Sequence, residues 1–285
     1  MRFGYADTSM GQVHYRRAGS GAPLLLLGSS GRSSSIFEAL LPLLAPHFDA
    51  VAIDTPGFGQ SCPLPETAGI EALAECAAEV LDALGIRRCH LYGLHTGNKI
   101  ATAFAGQWPA RVDRLILAGQ SHSLIPDRRL RNETILAIVS GYFEPPVPAP
   151  FTALADWAAA FRRVAAAWWD PAVLAAGAGA AARRDARNAV LDELLSSGTA
   201  ALYRANFAYD LGLGYRGIRA PTTLLEIVTP EEDRTVGRQA DAVAALIPGA
   251  VIRTIAEPAG HTLTLENRAQ DLAAIIIEAL LPADG

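Results

Sequence analysis

Cys89-His90-Leu91-Tyr92-Gly93-Leu94-His95-Thr96-Gly97-Asn98-Lys99-Ile100 is the stretch on which the reading of this chain turns. Its first four residues suit a short buried strand, and residues 96–108 carry the apolar spacing of a helix. Between the two, Gly93 and Gly97 bracket three residues at a strand-to-helix junction. That is the placement of a nucleophile elbow, G-x-S-x-G, with His95 where the serine would stand. The glycines have a steric cause: the turn is sharp, and side chains at its flanks would collide with neighbouring strands. The same strain lifts the central side chain above the sheet edge, at the positive end of the following helix.

Working outward, strand and helix patterns alternate. Val13-His14-Tyr15 reads as one arm of a hairpin turning at Gly11, and Leu24-Leu25-Leu26-Leu27 as a central strand buried on both faces. Residues 36–44 read as a helix and 50–53 as a strand. Ile70, Leu73, Ala74, Ala77, Val80, Leu81 and Leu84 follow the 3.6 period, and Gly85 ends that helix. Residues 112–118 form the next strand. Residues 222–228 and 251–255 read as strands, 236–247 and 272–280 as helices. Strict alternation predicts an α/β fold, a mostly parallel central sheet flanked by helices. The rhythm breaks over residues 122–216, which are alanine-rich, helical in pattern and studded with aromatic residues such as Trp157, Trp168 and Trp169. The expected organisation is a core domain made of 1–121 and 217–285, interrupted by a helical cap at 122–216.

With these motifs in place the chain resembles the α/β-hydrolase fold superfamily over nearly its whole length. Gly28-Ser29-Ser30-Gly31 looks like the family's oxyanion loop, with Gly28 at its histidine and Ser30 at its oxyanion-hole position. Asp54-Thr55-Pro56-Gly57-Phe58-Gly59-Gln60-Ser61 matches its D-x-P-G-F-G-x-S turn. Trp108-Pro109-Ala110-Arg111-Val112-Asp113-Arg114 matches the segment after the elbow helix, and Pro258-Ala259-Gly260-His261 its terminal Gly-His. The resemblance implies that His261 is the catalytic base. It also implies an acid after the strand that begins near Pro221; Asp233 is favoured, with Glu232 and Glu231 beside it. The backbone N–H groups of Ser30 and Thr96 become the expected oxyanion donors.

A histidine at the elbow changes the chemistry. In a serine enzyme one oxygen both attacks and gives up its proton; on an imidazole those tasks fall to opposite nitrogens. The helix N-terminus disfavours imidazolium, so His95 is expected to be mainly neutral. Three readings follow: hydrolysis of a small apolar ester or related acyl compound by His95, Asp233 and His261; non-hydrolytic acid/base chemistry (lyase, cyclase or isomerase) by the two histidines; or a non-catalytic pocket that binds a small ligand. Ser29, His122 and Trp168 are the expected pocket-lining residues. Lys99, the only lysine, shares a helix face with His95 and either adds positive charge beneath the site or snorkels to water. No cofactor and no metal are expected.

Composition limits the alternatives. Among 285 residues, 24 basic and 29 acidic side chains give a formal charge of −5, so a nucleic-acid partner is not expected. Cys62, Cys76 and Cys89 are odd in number and lack metal-type spacing. No apolar run approaches a membrane span and no signal core follows Met1, so a cytoplasmic protein with a small-molecule substrate is expected, its oligomeric state open.

Overall fold

A computed structural model describes residues 1–119, 124, 128–140, 188, 191–192, 196–228, 238–256 and 268–281. Its centre is an eight-stranded sheet. The strands are β1 (Arg2–Thr8), β2 (Gly11–Ala18), β3 (Ala22–Leu27), β4 (Phe48–Ile53), β5 (Cys89–Leu94), β6 (Val112–Ala118), β7 (Thr222–Val228) and β8 (Val251–Ala256). Their spatial order is β1-β2-β4-β3-β5-β6-β7-β8. The β1–β2 and β2–β4 pairs are antiparallel, and the pairs from β4 through β8 are parallel. The described helices are α1 (Leu41–Leu44), α2 (Ile70–Ala83), α3 (Thr96–Gln107), α4 (Arg128–Ser140), α5 (Thr199–Ala208), α6 (Leu211–Gly217), α7 (Ala240–Ala244) and α8 (Ala269–Leu280). Wherever the chain between β6 and β7 is described in elements, those elements are helices.

The sheet separates two hydrophobic layers, and the two-residue strand period assigns side chains to them. Leu25 and Leu27 of β3, Val51 and Ile53 of β4, and Leu115 and Leu117 of β6 pack with α2, α3, α5 and α6. Their alternates Leu24, Leu26, Ala50, Ala52, Ile116 and Ala118 pack with α1 and α8. Both faces are therefore apolar, which is why the central strands read as unbroken hydrophobic runs rather than alternating ones.

Two expected helices come out differently. Residues 36–44 are not one helix: a 3-10 turn at Ser34–Phe37 is followed by the single α turn α1. The Ser33 hydroxyl accepts from the Ser35 N–H, and Glu38 and Leu40 donate to carbonyls three residues back. Pro42, lacking an N–H, sits in the first turn of α1 and suits a fresh helix start there. Of residues 236–247, the described helical part is only α7, after which Leu246 and Ile247 tighten into three-residue turns. The opening hairpin turns at Ser9-Met10, just ahead of Gly11.

All three cysteines are free thiols. Burial pushes the Cys76 thiol up to about 11 and Cys89 to about 12, while Cys62 is only partly covered and rises for the same reason. A thiolate-selective disulfide reagent at pH 8 is therefore expected to modify one cysteine, Cys62, in the native protein and all three in denaturant. Mass mapping of the labelled peptides checks this; rapid labelling of Cys89 in native protein would contradict its burial.

Candidate active site

The elbow forms where β5 leaves the sheet and α3 begins. His95 has φ 50° and ψ −103°, and among the described residues it is the one non-glycine with positive φ. Such a conformation costs about 1–3 kcal/mol and persists only where its surroundings over-determine it. They do so here: the His95 N–H donates to Ala118 O (3.1 Å), its carbonyl accepts from the Asn98 N–H (3.1 Å), and Gly97 N–H donates to Gly28 O (2.9 Å). The flanking glycines are required by contact as well. A Cβ on Gly93 would lie 2.3 Å from the Gly97 carbonyl oxygen, and one on Gly97 would lie 2.1 Å from that of Leu27.

The His95 ring is half-buried and lies against Gly119, the residue that follows β6. A Cβ there would come within 2.5 Å of Nδ1. Because the strand order places β6 on one side of β5 and β3 on the other, the imidazole leans away from the loop that follows β3.

That loop carries Ser29 and Ser30, both half-buried. Ser30 Oγ and Thr96 Oγ1 are hydrogen-bonded to each other across the gap between loop and elbow. Asn206 of α5, which is 4% exposed, completes a triangle: its Nδ2 donates to Ser30 Oγ at 2.9 Å and Thr96 Oγ1 at 2.7 Å. Its Oδ1 is buried with no partner among the described residues. The backbone N–H groups of Ser30 and Thr96 make no hydrogen bond to a described residue. Two N–H donors that no described residue accepts from, one at the start of α3 and one in the loop after β3, flank a strained side chain and suit negative charge.

Lys99 does not snorkel. It is buried, its Nζ donates to the Asn206 carbonyl at 2.5 Å and stands 5.9 Å from the Phe207 ring centroid, so α3 grips α5 at the residue that closes the triangle. Below, the Asn98 side chain accepts from Tyr215 Oη at 3.1 Å, joining α3 to α6.

Two carboxylates fix the loop from behind. Asp54 is buried; it accepts from Ser34 N–H (2.6 Å) and Gln60 N–H (2.9 Å), and pairs with His14 Nδ1 (2.9 Å). Its neighbour Gly59 (φ 56°) lacks the Cβ that would lie 2.2 Å from Oδ2. Asp192 accepts from Ser33 N–H at 3.1 Å and Ser33 Oγ at 3.2 Å, with Arg32 Nε at 3.6 Å. Burial raises the Asp192 carboxyl above its ordinary range, against the opposing pull of the Ser33 donor and Arg32. Asn206 and Asp192 were not singled out from sequence. For Asn206 a signal existed: asparagine inside an alanine-rich helix is a poor helix former, so it implies a bonding partner.

The structure thus brings His95, Ser30, Thr96 and Ser29 to one edge of the sheet. Asp233, Glu231, Glu232, His261, His122 and Trp168 lie outside the described residues. Among the described residues no group of three or more potential ligands could hold a metal ion, and no helix is long and apolar enough to cross a membrane.

Comparison with known proteins fits this architecture. A protein from Comamonas testosteroni named 2-hydroxy-6-oxo-6-phenylhexa-2,4-dienoate hydrolase is 31% identical over 119 residues, 40% of this chain. The match spans 41% of that relative's length. A hydrolase structure from Pseudomonas aeruginosa PA01 superposes with a TM-score of 0.75 at 24% identity, covering 98% of both chains. An enol-lactonase structure from Burkholderia xenovorans LB400 gives 0.71 at 23% identity, covering 97% of this chain and 99% of that one. At these identities both are likenesses of fold. Residues 22–267 match the family described as alpha/beta hydrolase fold, and the chain belongs to that family.

Proposed function

We propose that the protein hydrolyses a small, largely apolar ester or related acyl compound. His95, Asp233 and His261 are its catalytic residues, the N–H groups of Ser30 and Thr96 receive the developing oxyanion, and residues 122–216 act as a cap over the site. The observation that carries this reading is the strained backbone of His95, held beside two N–H donors that no described residue accepts from. A positive φ on a histidine is expensive to keep, and here it raises an imidazole at the edge where such folds do their chemistry. Support comes also from the hydrolase and enol-lactonase names carried by the relatives.

In this reading the carbonyl oxygen sits at the Ser30–Thr96 gap and water is the attacking group. His261, oriented by Asp233, takes the water's proton, while His95 carries a second proton to or from the leaving group. The lean of the His95 ring toward β6 suits a proton carrier better than a nucleophile, whose attacking atom must point at the carbon held by the oxyanion donors. The same lean favours a second reading, in which the two imidazoles move protons on a carbonyl compound with no net hydrolysis.

A panel of p-nitrophenyl esters assayed with wild type, His95→Ala, His95→Ser and His261→Ala tests the proposal. Wild type is expected to turn over short-chain esters, and each alanine variant to lose about 10²-fold in kcat, the lower range for a lost acid or base. Turnover by His95→Ser alone would show that the native protein is no esterase and favour the second reading.

A further inference from the structure

The Ser30–Thr96–Asn206 triangle can be read by counting protons. Its three edges are hydrogen bonds, so each requires one proton. If the carboxamide oxygen stood at the shared corner, only the two hydroxyl protons would be available, and one edge would set oxygen against oxygen with nothing between. With Nδ2 at that corner there are four protons: two on nitrogen and two on the hydroxyls. The close contact between the hydroxyls therefore fixes the amide orientation. It leaves Oδ1 as the atom with no partner among the described residues. It also leaves one hydroxyl proton with no partner inside the triangle.

The geometry points to a third donor at the oxyanion gap: the surplus hydroxyl proton of the Ser30–Thr96 pair, aimed outward because Asn206 fills the acceptor side of both oxygens. This rests on the placement of the oxyanion at Ser30 and Thr96 and deepens it. The hydroxyls belong to the same two residues whose backbone N–H groups have no described acceptor, so three donors converge on one anionic oxygen. Asn206 is a positioning residue; it touches no substrate and acts through the two hydroxyls. Lys99, donating to the backbone carbonyl of Asn206, ties the main chain of α5 to α3 at that residue. An extra donor also answers the chemical problem of this elbow. With no serine oxygen to attack, the carbonyl must be polarised strongly enough for water, and each added donor does part of that work.

The proton count makes an unusual prediction about substitutions. In Ser30→Ala, Thr96 loses the neighbour it could donate to, and its own proton becomes the outward one. In Thr96→Val, Ser30 does the same. Either single change keeps one surplus proton, whereas the double change removes it. Asn206→Asp, nearly the same in shape, places an oxygen at the shared corner; both hydroxyls then donate to the carboxylate and none faces out.

The test is binding of phenylphosphonate, a tetrahedral anion that needs no turnover, measured by titration calorimetry on the full chain. Unliganded melting temperatures report on the fold of each variant. Each single hydroxyl variant is expected to bind within about threefold of wild type, while the double variant and Asn206→Asp weaken binding by about tenfold to a hundredfold, the range for a lost bond to a charged group. If Asn206→Asp does not fold, the contrast between the singles and the double still decides. The inference is overturned if wild type does not bind phenylphosphonate, if Asn206→Asp and the double variant bind as wild type does, or if each single loses as much as the double. The hydrolase reading fails separately: binding with this pattern but no ester turnover sinks that reading and leaves the three-donor site standing.

Discussion

Replacing Gly97 by alanine is expected to destabilise the protein by more than about 4 kcal/mol, among the largest effects a single methyl can have. The added Cβ would stand 2.1 Å from the carbonyl oxygen of Leu27 and 2.9 Å from that of Gly28. Both are backbone atoms, and Leu27 ends a strand whose leucines are buried on both faces of the sheet. Neither can yield without moving β3 or the first turn of α3, and Gly97 also holds the loop through its bond to Gly28 O. Gly85→Ala is the control. Its φ is +71° but nothing lies within 4 Å of the new Cβ, so only the left-handed backbone is penalised, by about 1–2 kcal/mol. Urea unfolding of the two variants separates collision from strain. Equal losses would mean that α3 and β3 are not in the contact described.

Asp54→Ala ranks next, at about 3–5 kcal/mol, the usual result of removing one member of a buried polar network. The carboxylate serves three donors from three stretches of chain: the N–H of Ser34, the N–H of Gln60 and the ring of His14. Without it, the Ser34 N–H and the His14 imidazole are left unpaired in a buried site, and the Gln60 N–H loses its acceptor at an exposed turn. Asp54→Asn, which keeps an acceptor oxygen, is expected to recover part of the loss. A decrease below about 1 kcal/mol in the alanine variant would show that water reaches these donors. Because Ser34 follows the loop that carries Ser30, a damaged Asp54 also loosens the proposed oxyanion gap, so activity should fall further than stability alone explains.

What the sequence could disclose followed the range of the interactions involved. Residues 112–118 and 222–228 were read as strands with the bounds the structure shows, since a strand buried on both faces needs only its own apolar side chains to announce itself. The elbow was legible for a similar reason: its constraint is carried by two glycines four positions apart. Residues 36–44 misled because Ile36, Phe37, Leu40, Leu41 and Leu44 keep a helical apolar spacing whichever turn pattern the backbone adopts. Side chains at the site with distant partners were harder still. Asn206 meets Ser30 across 176 positions of sequence, Lys99 meets Asn206 across 107, and Asp192 reaches Ser33 across 159. No local period encodes such meetings. Lys99 was left between two readings for that reason: its carbonyl partner lies on a helix that only the fold brings near.

The contact between the His95 ring and Gly119 has a further consequence. The backbone at 119 leaves out a methyl group where the heterocycle rests, so a Cβ there and the ring could not share that space. Trimming residue 95 to a smaller side chain would vacate a berth that packed neighbours fill only in part. A free azole dissolved in the buffer has the right outline to dock in it. Under the proposed mechanism, the working group at the elbow is thus a part that can be unplugged from the polypeptide and supplied again from outside.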